Sequence, residues 1–298
     1  PISAFGAHSG FDRFFYDVYP DSGRNIHTII GRAIEQLEAN KEGKNFCFLH
    51  IIDTHEPWMS RTISENCELL DNNEGAPMDE FVNLRSDIGD SKGEPIFDNE
   101  SIKSITKKHI VRMKNVDLYL SLFFNYLENN NFLNNTTIIL TGDHGTSYTA
   151  CKRPLLNKDR TNVGFFIRKP NCSREIVKDL LNTGLDFKDI INSILLEYKN
   201  QSEDEKNQNI YKPDPKRDFI ISESLYDIKY KICIRDRDLE MHLVFEYNKN
   251  TKKIAYKNPI STIIFDSDNK IIDSKDYSKF SKINKFNEIL NKHLIEKN

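Results

Sequence analysis

Two short polar clusters stand directly after apolar, strand-like runs: Asp53-Thr-His-Glu-Pro57 after Phe46–Ile52, and Gly142-Asp-His-Gly145 after Thr136–Thr141. The second has the makings of half a metal site. Adjacent side chains point to opposite faces of a strand, but where the chain turns beyond it, flanking glycines permit a geometry in which both reach one ion. A carboxylate oxygen and an imidazole nitrogen suit a divalent cation such as Zn or Mn. The plainer alternative is that Asp143 caps a following helix and His144 packs. His55, between Asp53 and Glu56, is placed for a carboxylate to orient its ring and for the ring to donate to an anionic oxygen; the alternative is a loop histidine bonded to its neighbours. Lys152, Arg153, Lys158 and Arg160 follow the second cluster. Cations there would clamp a sulfate or phosphate group, or else form a solvated loop.

The elements that must position these clusters follow from periodicity. Ile26, Ile29, Ile30, Ala33, Ile34 and Leu37 repeat at helical steps, and Asn45–Ile52 reads as a strand buried on both faces. The clearest helix runs from about Ile105 to Asn129, with Ile110, Met113, Val116, Leu120, Phe123, Phe124 and Leu127 as its apolar stripe. Thr136–Thr141 is a second buried strand, Asn162–Arg168 a third, and Asp186–Tyr198 another amphipathic helix. A strand, a helix and a further strand imply a right-handed crossover, hence a parallel sheet, with both polar clusters emerging at its carboxyl edge. Between Met59 and Ser104 the chain is polar and loop-like, with a short helix expected near Met78–Leu84.

Residues 200–217 read as a linker. Beyond it, short strands at Phe219–Ser222, Tyr230–Arg235, Met241–Tyr247, Lys253–Tyr256 and Thr262–Phe265 predict an antiparallel sheet, closed by a helix over about Tyr277–Ile295. The fold class is therefore α/β, mainly a parallel sheet between helices, with a small C-terminal antiparallel α+β subdomain. Residues 1–205 form the larger domain and 218–298 the smaller.

Length and composition narrow the function. At 298 residues the chain can bury a substantial core. Lys+Arg 42 against Asp+Glu 45 gives a formal charge of -3, which argues against nucleic acid as a partner. No apolar run is long enough to cross a membrane. Five scattered cysteines without a CxxC pair argue against a zinc ribbon or a disulfide scaffold. Cys47 and Cys233 fall in strand patterns and read as core.

Asn134-Asn-Thr-Thr-Ile-Ile-Leu-Thr-Gly-Asp-His-Gly145 closely resembles the signature of the sulfatase branch of the alkaline phosphatase superfamily. Phe48–Pro57 is similar to that family's "f…H.P" segment, Gly10-Phe-Asp12 to its "GFD" turn, Asn162–Arg168 to its "vPliir" strand, and Asp189–Leu195 to its "DiaPTlL" helix, with Asn192-Ser193 in place of "PT". The resemblance is collinear over most of the chain. It implies an alkaline phosphatase-like sheet with one divalent metal (Ca, Mn, Mg or Zn) at its carboxyl edge and a covalent intermediate on a formylglycine, Ser or Thr nucleophile. It makes Asp143 and His144 metal ligands, His55 a catalytic and substrate-binding residue, and Lys152 a substrate-binding cation, with Arg153 the alternative match for that cation. The implied substrate is a small-molecule or glycan sulfate or phosphate ester. A phosphoglycerol or phosphoethanolamine transferase and an inactive glycan-binding relic are the alternatives.

In the family the nucleophile and the first acidic ligands precede the "GFD" turn, where this chain has nine residues and no nucleophile motif. The expectation is an N-terminal part beyond Pro1, carrying the nucleophile and any signal or membrane anchor, so localisation stays open.

Overall fold

The computed structural model describes residues 11–12, 26–54, 99–145, 154–170, 172, 176, 183–199, 217–226, 228–268, 270–273, 275–276 and 281–297. The chain divides into two compact units, Pro1–Asn83 with Ile96–Asn135, and Leu84–Pro95 with Thr136–Asn298.

In the first unit, helix α1 (Ile26–Ala39) follows the predicted periodicity and buries Ile26, Ile30 and Ala33. A buried carboxylate caps its start: the Ile26 N–H donates to Asp53 Oδ2 at 3.0 Å. This satisfies one of the donors a helix leaves open at its N-terminus, where the helix dipole favours negative charge. Helix α2 (Asn99–Asn129) begins earlier than expected and buries a different face. Phe123 and Leu127 are buried as predicted, but Ile110 and Met113 are about half exposed, while Arg112 and Asn115 are inside. Burial raises the Asp53 carboxyl above its ordinary value, opposed by the Ile26 hydrogen bond and the Arg112 charge. Toward its C-terminal end, α2 meets α1 where Tyr126 Oη donates to Glu38. Burial and that acidic neighbour push the Tyr126 phenol up to about 12.

The run Asn45–Ile52 is not the doubly buried strand that its composition predicts. It is assigned to no strand among the described residues, and the Phe46 and Phe48 side chains lie exposed, at 65% and 66%. Cys47, expected in the core, is exposed with them.

In the second unit, β1 (Ile138–Thr141) pairs with β2 (Phe165–Arg168) in antiparallel register, Thr141 opposite Phe165 and Ile138 opposite Arg168. The strands described do not show the expected mainly parallel sheet. The segment joining β1 to β2 contains the short helix α3 (Lys158–Thr161). Helix α4 (Thr183–Lys199) follows; its buried Asp186 accepts both Arg217 guanidinium nitrogens, Nη2 to Oδ1 at 2.7 Å.

The C-terminal antiparallel sheet is present as predicted. Strands β3 (Ile220–Tyr226), β4 (Lys229–Arg235), β5 (Leu239–Asn248) and β6 (Lys253–Ile254) lie in that order, and β7 (Ser261–Asp266) pairs with β5. Helix α5 (Ser281–Lys297) covers the sheet with Ile283, Phe286, Leu290 and Leu294, which join Ile232, Ile234, Met241 and Ile264 in one apolar core. Among the described residues, no helix is long and apolar enough to cross a membrane. The helix expected near Met78–Leu84 and the linker at 200–216 lie outside the described residues.

Candidate active-site loop

Strand β1 ends at Thr141, and the chain turns out through Gly142, Asp143, His144 and Gly145. Both side chains of the motif face solvent, Asp143 at 79% and His144 at 46% exposure. The Asp143 carboxylate is fixed by its own neighbour, with the His144 N–H donating to Oδ1 at 2.8 Å. His144 Nδ1 lies 2.9 Å from the Gly145 carbonyl oxygen, which can only accept. In the neutral ring the proton therefore sits on Nδ1, and Nε2 keeps its lone pair, the arrangement found in metal-binding histidines. That Nε2 stands 3.8 Å from Asp143 Oδ2, too far for a hydrogen bond. Two atoms that bond one ion at about 2.0–2.2 Å lie roughly 3–4 Å apart, so the pair fits two ligands of one cation.

The glycines act differently from the sequence expectation. Neither Gly142 nor Gly145 is in the left-handed region, so the turn does not depend on their backbone freedom. Gly145 is required by proximity: its N–H donates to the Arg160 carbonyl at 2.7 Å, and a Cβ there would sit 2.1 Å from the Asp159 carbonyl oxygen.

Of the other predicted site residues, Asp53 caps α1 through Oδ2. His55, Glu56, Lys152, Arg153 and Cys151 lie outside the described residues. Lys158 and Arg160 are in α3, and Arg160 serves the loop with its backbone carbonyl.

Sequence reasoning missed a buried polar network beneath that segment. Asn157 caps α3, its Oδ1 accepting from Asp159 N–H at 2.9 Å. Arg235, on β4, donates through Nη1 to Thr161 Oγ1 at 2.6 Å and through Nη2 to the Leu156 carbonyl at 3.0 Å. Its Nε lies 2.9 Å from Glu240 Oε2, and Glu240 Oε1 is 2.5 Å from His242 Nε2. Only Arg235 carried a recognisable signal, as a charge inside an apolar strand pattern.

The donor atoms of Cys233, Glu240 and His242 lie within 4.8 Å of one another, the one such group of three among the described residues. Its chemistry does not suit a cation. Arg235 already supplies the positive charge, and the hydrogen bond to Glu240 occupies His242 Nε2.

The same network sets a pH dependence. Burial holds the His242 imidazole below its ordinary value of 6.5, against the opposing hydrogen bond of Glu240. Burial would raise Glu240, but the His242 hydrogen bond and the Arg235 charge outweigh it and leave the carboxyl lowered. For both groups the unfolded chain binds protons before the folded one as pH falls. Their stabilisation is thus complete above about pH 6.5 and declines below it, first through His242 and then through Glu240. The melting temperature of wild type is expected to fall between pH 7.5 and 5, and His242→Gln to flatten the upper part of that fall. Parallel profiles for the two proteins would remove His242 from the account.

The sequence profile of the sulfatase family matches residues 5–195, more than half of the chain. No match is found among curated proteins. Among solved structures, the chain is similar to a Bacteroides thetaiotaomicron protein solved in work on the metabolism of multiple glycosaminoglycans, with 14% identity, a TM-score of 0.55, and coverage of 85% of this chain and 55% of the other. It is also similar to yidJ of Bacteroides fragilis, a protein assigned as a sulfatase, with 15% identity, a TM-score of 0.59, and coverage of 92% and 59%. The chain thus spans a little over half the length of these structures.

Proposed function

This chain belongs to the sulfatase family, and we propose on that footing that it is part of a metal-dependent hydrolase of sulfate esters. The observation that carries the reading is the loop after β1, where Asp143 Oδ2 and His144 Nε2 stand 3.8 Å apart in an exposed turn. In this reading Asp143 and His144 hold a divalent cation, the carboxylate supplying charge and the imidazole a neutral nitrogen. The chemistry such a cation supplies is polarisation of the ester oxygens and neutralisation of charge that develops in the transition state. The Nδ1–H bond to the Gly145 carbonyl holds the imidazole in the ligating tautomer. His55 and Lys152 are assigned to the anionic oxygens and leaving group of the substrate, and the nucleophile to residues other than those described.

The test is turnover of 4-nitrophenyl sulfate, 4-nitrophenyl phosphate and bis(4-nitrophenyl) phosphate by the protein at the length its host makes it. Hydrolysis of the sulfate ester, abolished by a chelator and restored by a divalent cation, is the expected result. Turnover of the phosphodiester alone would move the protein to the transferase alternative. Binding of sulfated glycan without turnover would make it a binding relic, and activity insensitive to chelation would remove the metal.

A further inference from the structure

The loop that carries Asp143 and His144 rests on the segment 154–161. That segment is buried over Pro154, Leu155, Leu156 and Asn157, then closes into α3. The carbonyls of Asp159 and Arg160 form the surface against which Gly145 sits with no room for a side chain. What holds the segment from below is Arg235. Its guanidinium, almost fully buried, contacts Thr161 Oγ1, the Leu156 carbonyl and Glu240 Oε2 with three different nitrogens. Thr161 Oγ1 in turn donates to the Asn157 carbonyl at 2.9 Å. Arg235 and Thr161 are 74 residues apart in sequence.

We propose that Arg235 is a positioning residue for the Asp143–His144 loop, acting through Thr161 and the Arg160 carbonyl to hold Gly145. The proposal rests on the reading of that loop as a cation site and adds the part of the fold that sets its geometry. A planar guanidinium fixed by Glu240 offers its remaining donors in set directions, which a lysine ammonium does not. The two bonds, at 2.6 and 3.0 Å, fix both ends of the segment relative to β4, which is buried from Tyr230 to Arg235. The Gly145 hydrogen bond at 2.7 Å passes that registration to the motif. The C-terminal sheet is therefore a support for the candidate site and not only an appended subdomain. Glu240 completes it by neutralising the buried Arg235, with His242 hydrogen-bonded to its other carboxylate oxygen.

The experiment uses the full chain. Removing Arg235 alone would leave Glu240 as an unpaired buried charge, so the variants are Thr161→Val, Thr161→Ser, and Arg235→Met combined with Glu240→Gln. Amide hydrogen exchange is followed at Gly145 and along the β4–β5 ladder, and Mn2+ binding is measured by calorimetry. The Gly145 amide is expected to exchange at least about tenfold faster in Thr161→Val and in the double variant, with the ladder unchanged and Thr161→Ser close to wild type. Mn2+ affinity is expected to weaken about 10–100-fold in the same two variants, the usual cost of losing an outer-shell partner. Gly145 exchange at the wild-type rate in both folded variants would overturn the proposal. Faster exchange in a protein whose wild type binds no Mn2+ would uphold the positioning of the loop and reject Asp143 and His144 as ligands.

Discussion

Asp143→Ala is expected to lower kcat/KM for a sulfate ester by at least about 10³-fold and to strip the bound metal. A cation that polarises the ester contributes several kcal/mol to the transition state, and each 1.4 kcal/mol is a factor of about ten. Stability should hardly change. The Asp143 side chain is 79% exposed, and its one described protein bond is to the neighbouring His144 N–H. Substitutions at such positions usually stay within about 0.5 kcal/mol. A large kinetic loss with an unchanged melting temperature therefore separates a ligand from a scaffold residue. Metal content measured by mass spectrometry completes the test. Full metal occupancy together with kcat/KM within about threefold of wild type would end the assignment.

Gly145→Ala is the second large effect, and it works through space. The new methyl would fall 2.1 Å from the Asp159 carbonyl oxygen, a separation that real Cβ atoms essentially never show. Backbone must move, because the obstacle is backbone. Overpacking of this kind costs about 1–3 kcal/mol, and the Gly145–Arg160 hydrogen bond would go with it, adding about 1 kcal/mol. A displacement near 1 Å at a catalytic group costs about 10²-fold in rate, and a loss of that order is expected alongside a lower melting temperature. Gly142→Ala is the control. A Cβ there meets its nearest atom, the His144 carbonyl oxygen, at an ordinary 3.6 Å. If both alanine variants behave alike, the contact with Asp159 is not what confines the loop.

The C-terminal sheet was legible in the sequence because its information is local. Turn residues punctuate short β-rich runs, and Tyr230–Arg235 lies within the observed Lys229–Arg235. Helix α1 was legible for the same reason, as a period of 3.6 needs no knowledge of the rest of the chain. Pairing was not legible. Phe46–Ile52 has the composition of a buried strand, but whether another strand lies beside it is not written in those residues. The direction of β1 relative to β2 depends likewise on which strand becomes its neighbour. In α2 the apolar pattern misplaced the buried face, since Arg112 and Asn115 are inside while Ile110 and Met113 are half exposed. At the candidate site, Asp143 and His144 announced themselves through residue type and position after a strand. Arg235 showed only as a charge inside an apolar strand pattern and Thr161 not at all, because their role is set by a contact across 74 residues.

The exposed run around Phe46 and Phe48 bears on how this polypeptide behaves in the test tube. Two large aromatic side chains exposed close together in one apolar segment are a point at which molecules associate. Preparations of this chain should therefore grow more turbid with concentration. A lysine placed at Phe46 or Phe48 is the natural remedy, since it breaks the apolar run with a charge.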